Sequence, residues 1–363
     1  MNQGKATLFV LAGLVLLLSC TKESGSGVDE PIVFSARLVE STKAQGAVSS
    51  QGSFTSGGFG VFACYTADHT YSESSVSPDF MYNEHLIWDA THGVWTYAPI
   101  KYWPNGEGEA ESVHGEIPHY VSFFAYAPYS NANGSSPALN PSGYCISSFI
   151  NSYEQDNPWI LYRLHPDVSK QVDLMYAVPL LDQTKGSVAE KLQFSFKHAL
   201  GCVGDAVDVV CATALANTLK DKVDSGTPTW VRLFLSGVSI RYTLTEKGKL
   251  TLWNQGQANW SPVLSENSVT TRDVILLDSE TLLYSYDGSS ETSNTWADDN
   301  HGVFFIPLQV SGEIQKADIT VSYVIRYSTG EEVTNTRTST LYITTDKYQE
   351  GKDLSIHITL SNM

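Results

Sequence analysis

Apolar and polar residues alternate most cleanly in the second half of the chain. Val238, Ile240, Tyr242 and Leu244 are separated by Ser239, Arg241 and Thr243. Ile319, Val321, Tyr323, Ile325 and Tyr327 repeat the two-residue period, and so do Leu354, Ile356, Ile358 and Leu360. That period puts every second side chain on one face, as in a strand with one buried side. Glu246-Lys247-Gly248 turns the first of these runs into Leu250-Thr251-Leu252-Trp253.

The first half is patterned differently. From Trp95 to Tyr129 two aromatic-rich runs, Trp95 to Pro104 and Val121 to Pro128, are each closed by proline and separated by a Gly/Glu-rich loop. Proline blocks helix interiors, so both runs are predicted as strands of a packed sheet. Clustered Trp, Tyr and Phe bury large areas and are expected to floor a core. Pro31 to Leu38 and Val61 to Tyr65 are further strands, with a coreless loop between them. Phe80 to Asp89 and Val94 to Tyr97 flank Ala90-Thr91-His92-Gly93 as a hairpin. Residues 130–143 read as surface loop, Asp173 to Leu181 closes the first half, and 182–187 reads as a linker. Ala212 to Val223 has the composition of a short helix. Many short strands with turn residues between them predict an all-β chain of antiparallel sandwiches.

The N-terminus stands apart from this pattern. Lys5 precedes an apolar run from Leu8 to Leu18 that ends in Leu17-Leu18-Ser19-Cys20. Residues 1–19 are expected to be a secretory signal peptide, too short in its apolar run to span a bilayer. Leu-Leu-Ser-Cys resembles a lipobox, in which Cys20 would carry acyl chains, palmitate among them, and become the new N-terminus. Residues 20–30, polar and Gly/Ser-rich, then form a lipidated tether.

Composition narrows the function. The formal net charge of −17 disfavours nucleic acid as a partner. Cys64, Cys145, Cys202 and Cys211 allow three disulfide connectivities, and buried free thiols are equally compatible. Zinc-ligand spacing, a His-Glu-x-x-His pair and a Gly-x-Ser-x-Gly elbow do not occur. Gly106-Glu107-Gly108 has no helix start behind it to hold phosphate. Asp287-Gly288 and Asp298-Asp299-Asn300 lack the alternation of a calcium loop. Neither an enzyme nor a cofactor is expected.

A family resemblance rests on three runs: Trp95-x-Tyr97-x-Pro99-x-Lys101-Tyr102-Trp103-Pro104, Phe123-Phe124-Ala125-Tyr126-Ala127-Pro128, and Phe194-x-Phe196-x-His198-Ala199-Leu200. Their order resembles that of the fimbrillin-like proteins of Bacteroidales. The resemblance implies two transthyretin-like β-sandwiches in tandem, at 31–184 and 185–363. It implies a structural subunit (shaft, tip or anchor) of an adhesive fimbria, made as a lipid-anchored outer-membrane precursor and partnered by other fimbrial subunits. Family subunits mature by cleavage after a basic residue near the first strand, for which Arg37 and Lys43 are the candidates. C-terminal strands of one subunit fill the groove so vacated in the next, which nominates Leu354, Ile356, Ile358 and Leu360; the same residues would otherwise pack in their own domain. A glycan-binding surface lipoprotein is the alternative, with Trp88, Trp95, Trp103 and Trp159 as the rings that would stack on sugars.

Overall fold

The computed structural model describes residues 30–39, 51–73, 76–104, 119–131, 143–188, 190–263, 269–299, 301–308, 314–344, 351 and 353–361. Among them the regular structure is β-strand, apart from short 3-10 turns and two α-helices, Gln51–Gly57 and Thr213–Asp224. The second helix matches the stretch expected from composition. It buries Leu215, Ala216, Leu219 and Val223, the 3–4 spacing of one helical face.

An eight-stranded sheet occupies the N-terminal side. Its order is Phe34–Leu38, Leu192–His198, Met175–Ala177, Tyr120–Ala127, Phe59–Ala67, Met81–Asp89, Val94–Thr96, with Leu180–Gln183 also beside Tyr120–Ala127. The expected hairpin is present, pairing Ile87 with Thr96, Trp88 with Trp95 and Asp89 with Val94. Tyr120–Ala127 is buried along almost its whole length. Both of its faces are covered: Val121, Phe123 and Ala125 point into one core, Phe124 and Tyr126 into another. A strand covered on both sides has no polar face to alternate with, hence the unbroken aromatic run.

The first aromatic run departs from expectation. Only Val94–Thr96 is strand, and the chain leaves the ladder before Pro99. Tyr97 marks the departure, its hydroxyl donating to the Ile32 carbonyl at 2.9 Å and accepting from the Lys101 N–H at 3.2 Å.

The C-terminal side holds two sheets. One has the order Glu291–Ser293, Thr281–Tyr286, Val231–Thr245, Gln315–Tyr327, Glu332–Ile343, with Val269–Leu277 also on Val231–Thr245. The facing sheet is built on Gly201–Cys211, which pairs antiparallel with Thr295–Asp298 and Val303–Phe305 and parallel with Asp353–Leu360. Leu233, Val238, Ile240 and Tyr242 are buried in the same core as Val207, Val209 and Ile356. The alternating runs read from the sequence therefore have their apolar faces inward.

The division expected between residues 184 and 185 is crossed twice. Leu192–His198 returns to the N-terminal sheet, so 182–187 joins two of that sheet's own strands, and the chain changes sheets at Ala199-Leu200. A four-stranded sheet also mixes the halves, in the order Asn259–Pro262, Lys247–Thr251, Trp159–Arg163, Cys145–Phe149. It packs on the outer face of the eight-stranded sheet, with the Phe149 ring 5.8 Å from Phe62 and 5.3 Å from Tyr126. One core consequently runs from Phe62 to Leu360. Arg163 and Glu246, 2.5 Å apart, tie the halves at its margin.

Candidate functional site

The two terminal strands are the elements to which the sequence assigned a role. Phe34–Leu38 lies at a sheet edge and pairs in parallel with Leu192–His198, from Phe34 opposite Leu192 to Leu38 opposite Phe196. Just ahead of it, the Ile32 N–H donates to the Lys101 carbonyl at 2.9 Å, and the Trp103 N–H donates to the Glu30 carbonyl at 3.0 Å. The segment therefore fills a slot between two stretches of backbone. Ile32 and Phe34 are 1% and 2% exposed. The Phe34 ring sits 5.6 Å from Tyr97, 5.7 Å from Phe123 and 5.8 Å from Phe194. Burying two such side chains is worth about 3–6 kcal/mol. Taking the strand out would expose a trough floored by aromatic rings.

Arg37 is exposed and its Nε donates to Ser195 Oγ at 3.0 Å. It lies inside the ladder opposite Ser195, so a protease cutting there needs the strand to detach first. Lys43 and Cys20 lie outside the described residues.

Asp353–Leu360 is the other terminal strand, parallel to Gly201–Cys211 and held at its end by the Ala212 N–H donating to the Leu360 carbonyl at 2.8 Å. Ile356 and Leu360 are buried; Leu354 and Ile358 pack partly buried against the same core. All four residues pack into the core on which their own strand lies. His357 pairs with Asp208 on the outer face. Between this strand and the edge strand Glu332–Ile343 runs a groove of about 720 Å³, floored by Ile319, Val321 and Tyr323.

Where the C-terminal strand begins, acidic groups converge that the sequence reading did not single out. Asp173 is 1% exposed and shares a 2.5 Å hydrogen bond through Oδ2 with His198 Nδ1; its Oδ1 has no partner. Both carboxylate oxygens of Asp353 are shielded from solvent and without a hydrogen-bond partner. Burial, and then the Asp205 charge, push the Asp353 carboxyl up to about 7. Burial alone would lower His198, but the Asp173 hydrogen bond and charge outweigh it, leaving the imidazole raised. A signal for His198 was present: it continues the inward row of Leu192, Phe194 and Phe196, where an imidazole needs a partner.

The four tryptophans proposed for sugar stacking do not form an exposed row. Trp95 and Trp103 are 6% and 5% exposed, Trp88 packs edge-on against Trp95, and Trp159 packs partly buried on the main core. Cys64, Cys145, Cys202 and Cys211 are free thiols, Cys64 and Cys202 buried. Asp287 accepts from the N–H groups of Ser289 and Ser290 in its own turn. Among the described residues no group of three or more His, Cys, Asp or Glu is placed to hold a metal ion.

No family model matches the chain. It is 25% identical over 307 residues to the fimbrium subunit Fim1C of Phocaeicola vulgatus, over 79% of this chain and 71% of that one. The crystal structure of a fimbrial protein from Bacteroides vulgatus shares the fold, with a TM-score of 0.60 at 19% identity, covering 92% of this chain and 96% of that one.

Proposed function

We infer that this chain, a relative of the fimbrial subunits of Bacteroidales, is itself a structural subunit of a cell-surface fimbria, polymerised by strand exchange and serving adhesion. The observation that carries this reading is the N-terminal strand: a short edge segment that plugs an aromatic trough with Ile32 and Phe34. Trimming beyond the strand, with Lys43 as the favoured cut over the ladder-bound Arg37, would remove the plug. A strand of matching alternation from a neighbour could then enter, gaining main-chain hydrogen bonds along its length. Asp353–Leu360 has that alternation and is an edge strand. Tandem transthyretin-like sandwiches remain the descriptive scheme we favour, with the mixed four-stranded sheet as the joint between them.

The precursor is proposed to be exported by residues 1–19 and held in the outer membrane through acylated Cys20. Polymerisation by strand exchange requires no catalytic residue, and none is assigned.

A tether tests the exchange. Val209 and Ile358 are paired directly across the parallel ladder. Val209→Cys with Ile358→Cys would lock the C-terminal strand in its own domain without placing a charge in the core. Oxidised variant should stay monomeric and polymerise after reduction. Polymers formed equally well with the bond intact would reject donation by this strand.

A further inference from the structure

We propose that the root of the C-terminal strand is a proton-operated latch: Asp353 must be neutral for this end of Asp353–Leu360 to stay seated on Gly201–Cys211, and its ionisation loosens the strand. The use of such a latch in assembly rests on the strand-exchange reading above; the latch itself does not.

The argument begins with the two oxygens. An ionised carboxylate shut away from water needs donors, and those of Asp353 have none among the described residues. Its surroundings make the charge worse. Asp353 sits opposite Cys202 in the parallel ladder, at the end where the register breaks between Val203 and Val207. Asp205 lies within that irregularity. Asp173 comes in from the segment before Met175–Ala177, and His198 from the end of Leu192–His198. Of the charged groups acting on Asp353 among the described residues, Asp205 and Asp173 share its sign, and only His198 opposes it. His198 is already engaged by Asp173 at 2.5 Å. Cys202, the remaining titratable neighbour, is a buried thiol pushed above its ordinary range by burial and by Asp205, Asp353 and Asp173, so it supplies no positive charge.

The direction with pH follows from linkage. A carboxyl raised on folding, from near 3.9 to about 7, stabilises the folded strand fully below the lower value, and that contribution is lost as pH rises through 7. The raised imidazole of His198 has the same sign, contributing fully below about 6.5 and losing that contribution as pH climbs through its folded value, but its main partner Asp173 is off the strand, so it acts on the fold rather than on the seating of the strand. Asp353 therefore seats the strand most firmly in mild acid and releases it in neutral to alkaline medium. Position matters as much as sign. Asp353 is the first residue of the strand, so a charge there acts on the root, whereas Ile356 and Leu360 hold the middle and the tip.

The device is read by hydrogen exchange of the full chain at pH 5.5 and 8.0, corrected for intrinsic rates, with Val231–Thr245 as internal reference. Protection of amides in 353–357 is expected to fall at least tenfold between the two conditions relative to the reference. The whole shift is worth roughly a thousandfold, but only about thirtyfold of it falls between pH 5.5 and 8.0, because a detached Asp353 is already ionised at pH 5.5; partial exposure reduces it further. In Asp353→Asn the fall should vanish and protection at pH 8.0 should be at least that of the wild type at pH 5.5. Unchanged wild-type protection overturns the latch without recourse to any variant, and an equal fall in Asp353→Asn overturns it as well. Polymerisation of the Val209/Ile358 tethered protein is scored separately. A pH-sensitive root in a protein that polymerises while tethered would sink strand donation and leave the latch standing.

Discussion

Phe34 is where the plug reading is most exposed to refutation. The ring is 2% exposed and wedged among Tyr97, Phe123 and Phe194 at centroid distances of 5.6–5.8 Å. Truncating a buried phenylalanine to alanine costs about 3–5 kcal/mol, the spread reflecting how far the cavity collapses. Here the ring belongs to an edge strand, so part of that loss appears as local detachment rather than global unfolding. Detachment has its own reporter in Arg37, whose peptide bond is accessible to an arginine-specific protease only when the strand has left Ser195. When opening is fast relative to cutting, cleavage follows the population of the open form. At about 1.4 kcal/mol per tenfold, Phe34→Ala should accelerate cleavage after Arg37 by at least a hundredfold, read as the mass of the released N-terminal fragment. Urea denaturation of the same variant should lose between about 1 and 5 kcal/mol, depending on how much is already spent in detachment. The control is Ser195→Ala, which removes the partner of the exposed Arg37 side chain and should change stability by less than about 0.5 kcal/mol. If Phe34→Ala leaves the cleavage rate within threefold of wild type, the segment is not a separable plug and the exchange reading loses its seat.

Cys20→Ser should leave an unprocessed precursor with its leader attached and abolish partition with the outer membrane; normal processing in that variant removes lipid anchoring from the account. Gly60→Ala is expected to cost about 1–3 kcal/mol in thermal melts, because a Cβ there would lie 2.2 Å from the Tyr126 ring. Tyr126 is fully buried, and its hydroxyl, bonded to Asn83 and Ser130, holds the ring in place. Binding to a glycan array should be absent or insensitive to Trp88→Ala and Trp159→Ala, since neither ring belongs to an open stacking surface; loss of a reproducible signal in either variant would revive the lectin reading.

How much of this was legible in the sequence depends on what each strand faces. Val231–Thr245 and Gln315–Tyr327 have one wet and one dry side, so their alternation gave strand and orientation together. Tyr120–Ala127 announced burial but not which core each ring enters, because both sides are dry. The expected boundary at 184/185 was read from local composition, not from pairing. Thr184 and Ser187 do form a hydrogen-bonded turn, as a linker would, yet the strand after it rejoins the earlier sheet. Local composition marks a turn; it carries no information about which distant backbone the next strand will meet. The same limit hid Asp353. Nothing around residue 353 in the chain indicates that Asp173, His198 and Asp205 converge on it, since the convergence is made by three different elements.

The two chain ends share one arrangement, and it bears on why they would be the exchangeable parts. Among the described residues every other strand pair is antiparallel, and Phe34–Leu38 and Asp353–Leu360 are the strands that pair in parallel. Their partners, Leu192–His198 and Gly201–Cys211, are consecutive, separated only by the turn at Ala199-Leu200. Parallel pairing cannot be closed by a short turn, so each seat is filled by chain that returns from far away: Arg37 meets Ser195 across 158 residues, and His357 meets Asp208 across 149. Contacts closed over such lengths are tied to the rest of the fold through the ladder and the buried side chains alone, with no hairpin to keep the strand beside its partner once it lets go. A strand of equal pattern from a second chain competes on nearly equal terms for such a seat, the difference being effective concentration rather than contact quality. On the exchange reading, trimming removes the covalent advantage at one end while the Asp353 latch governs release at the other, so that two edge seats flanking a single crossover become one acceptor and one donor.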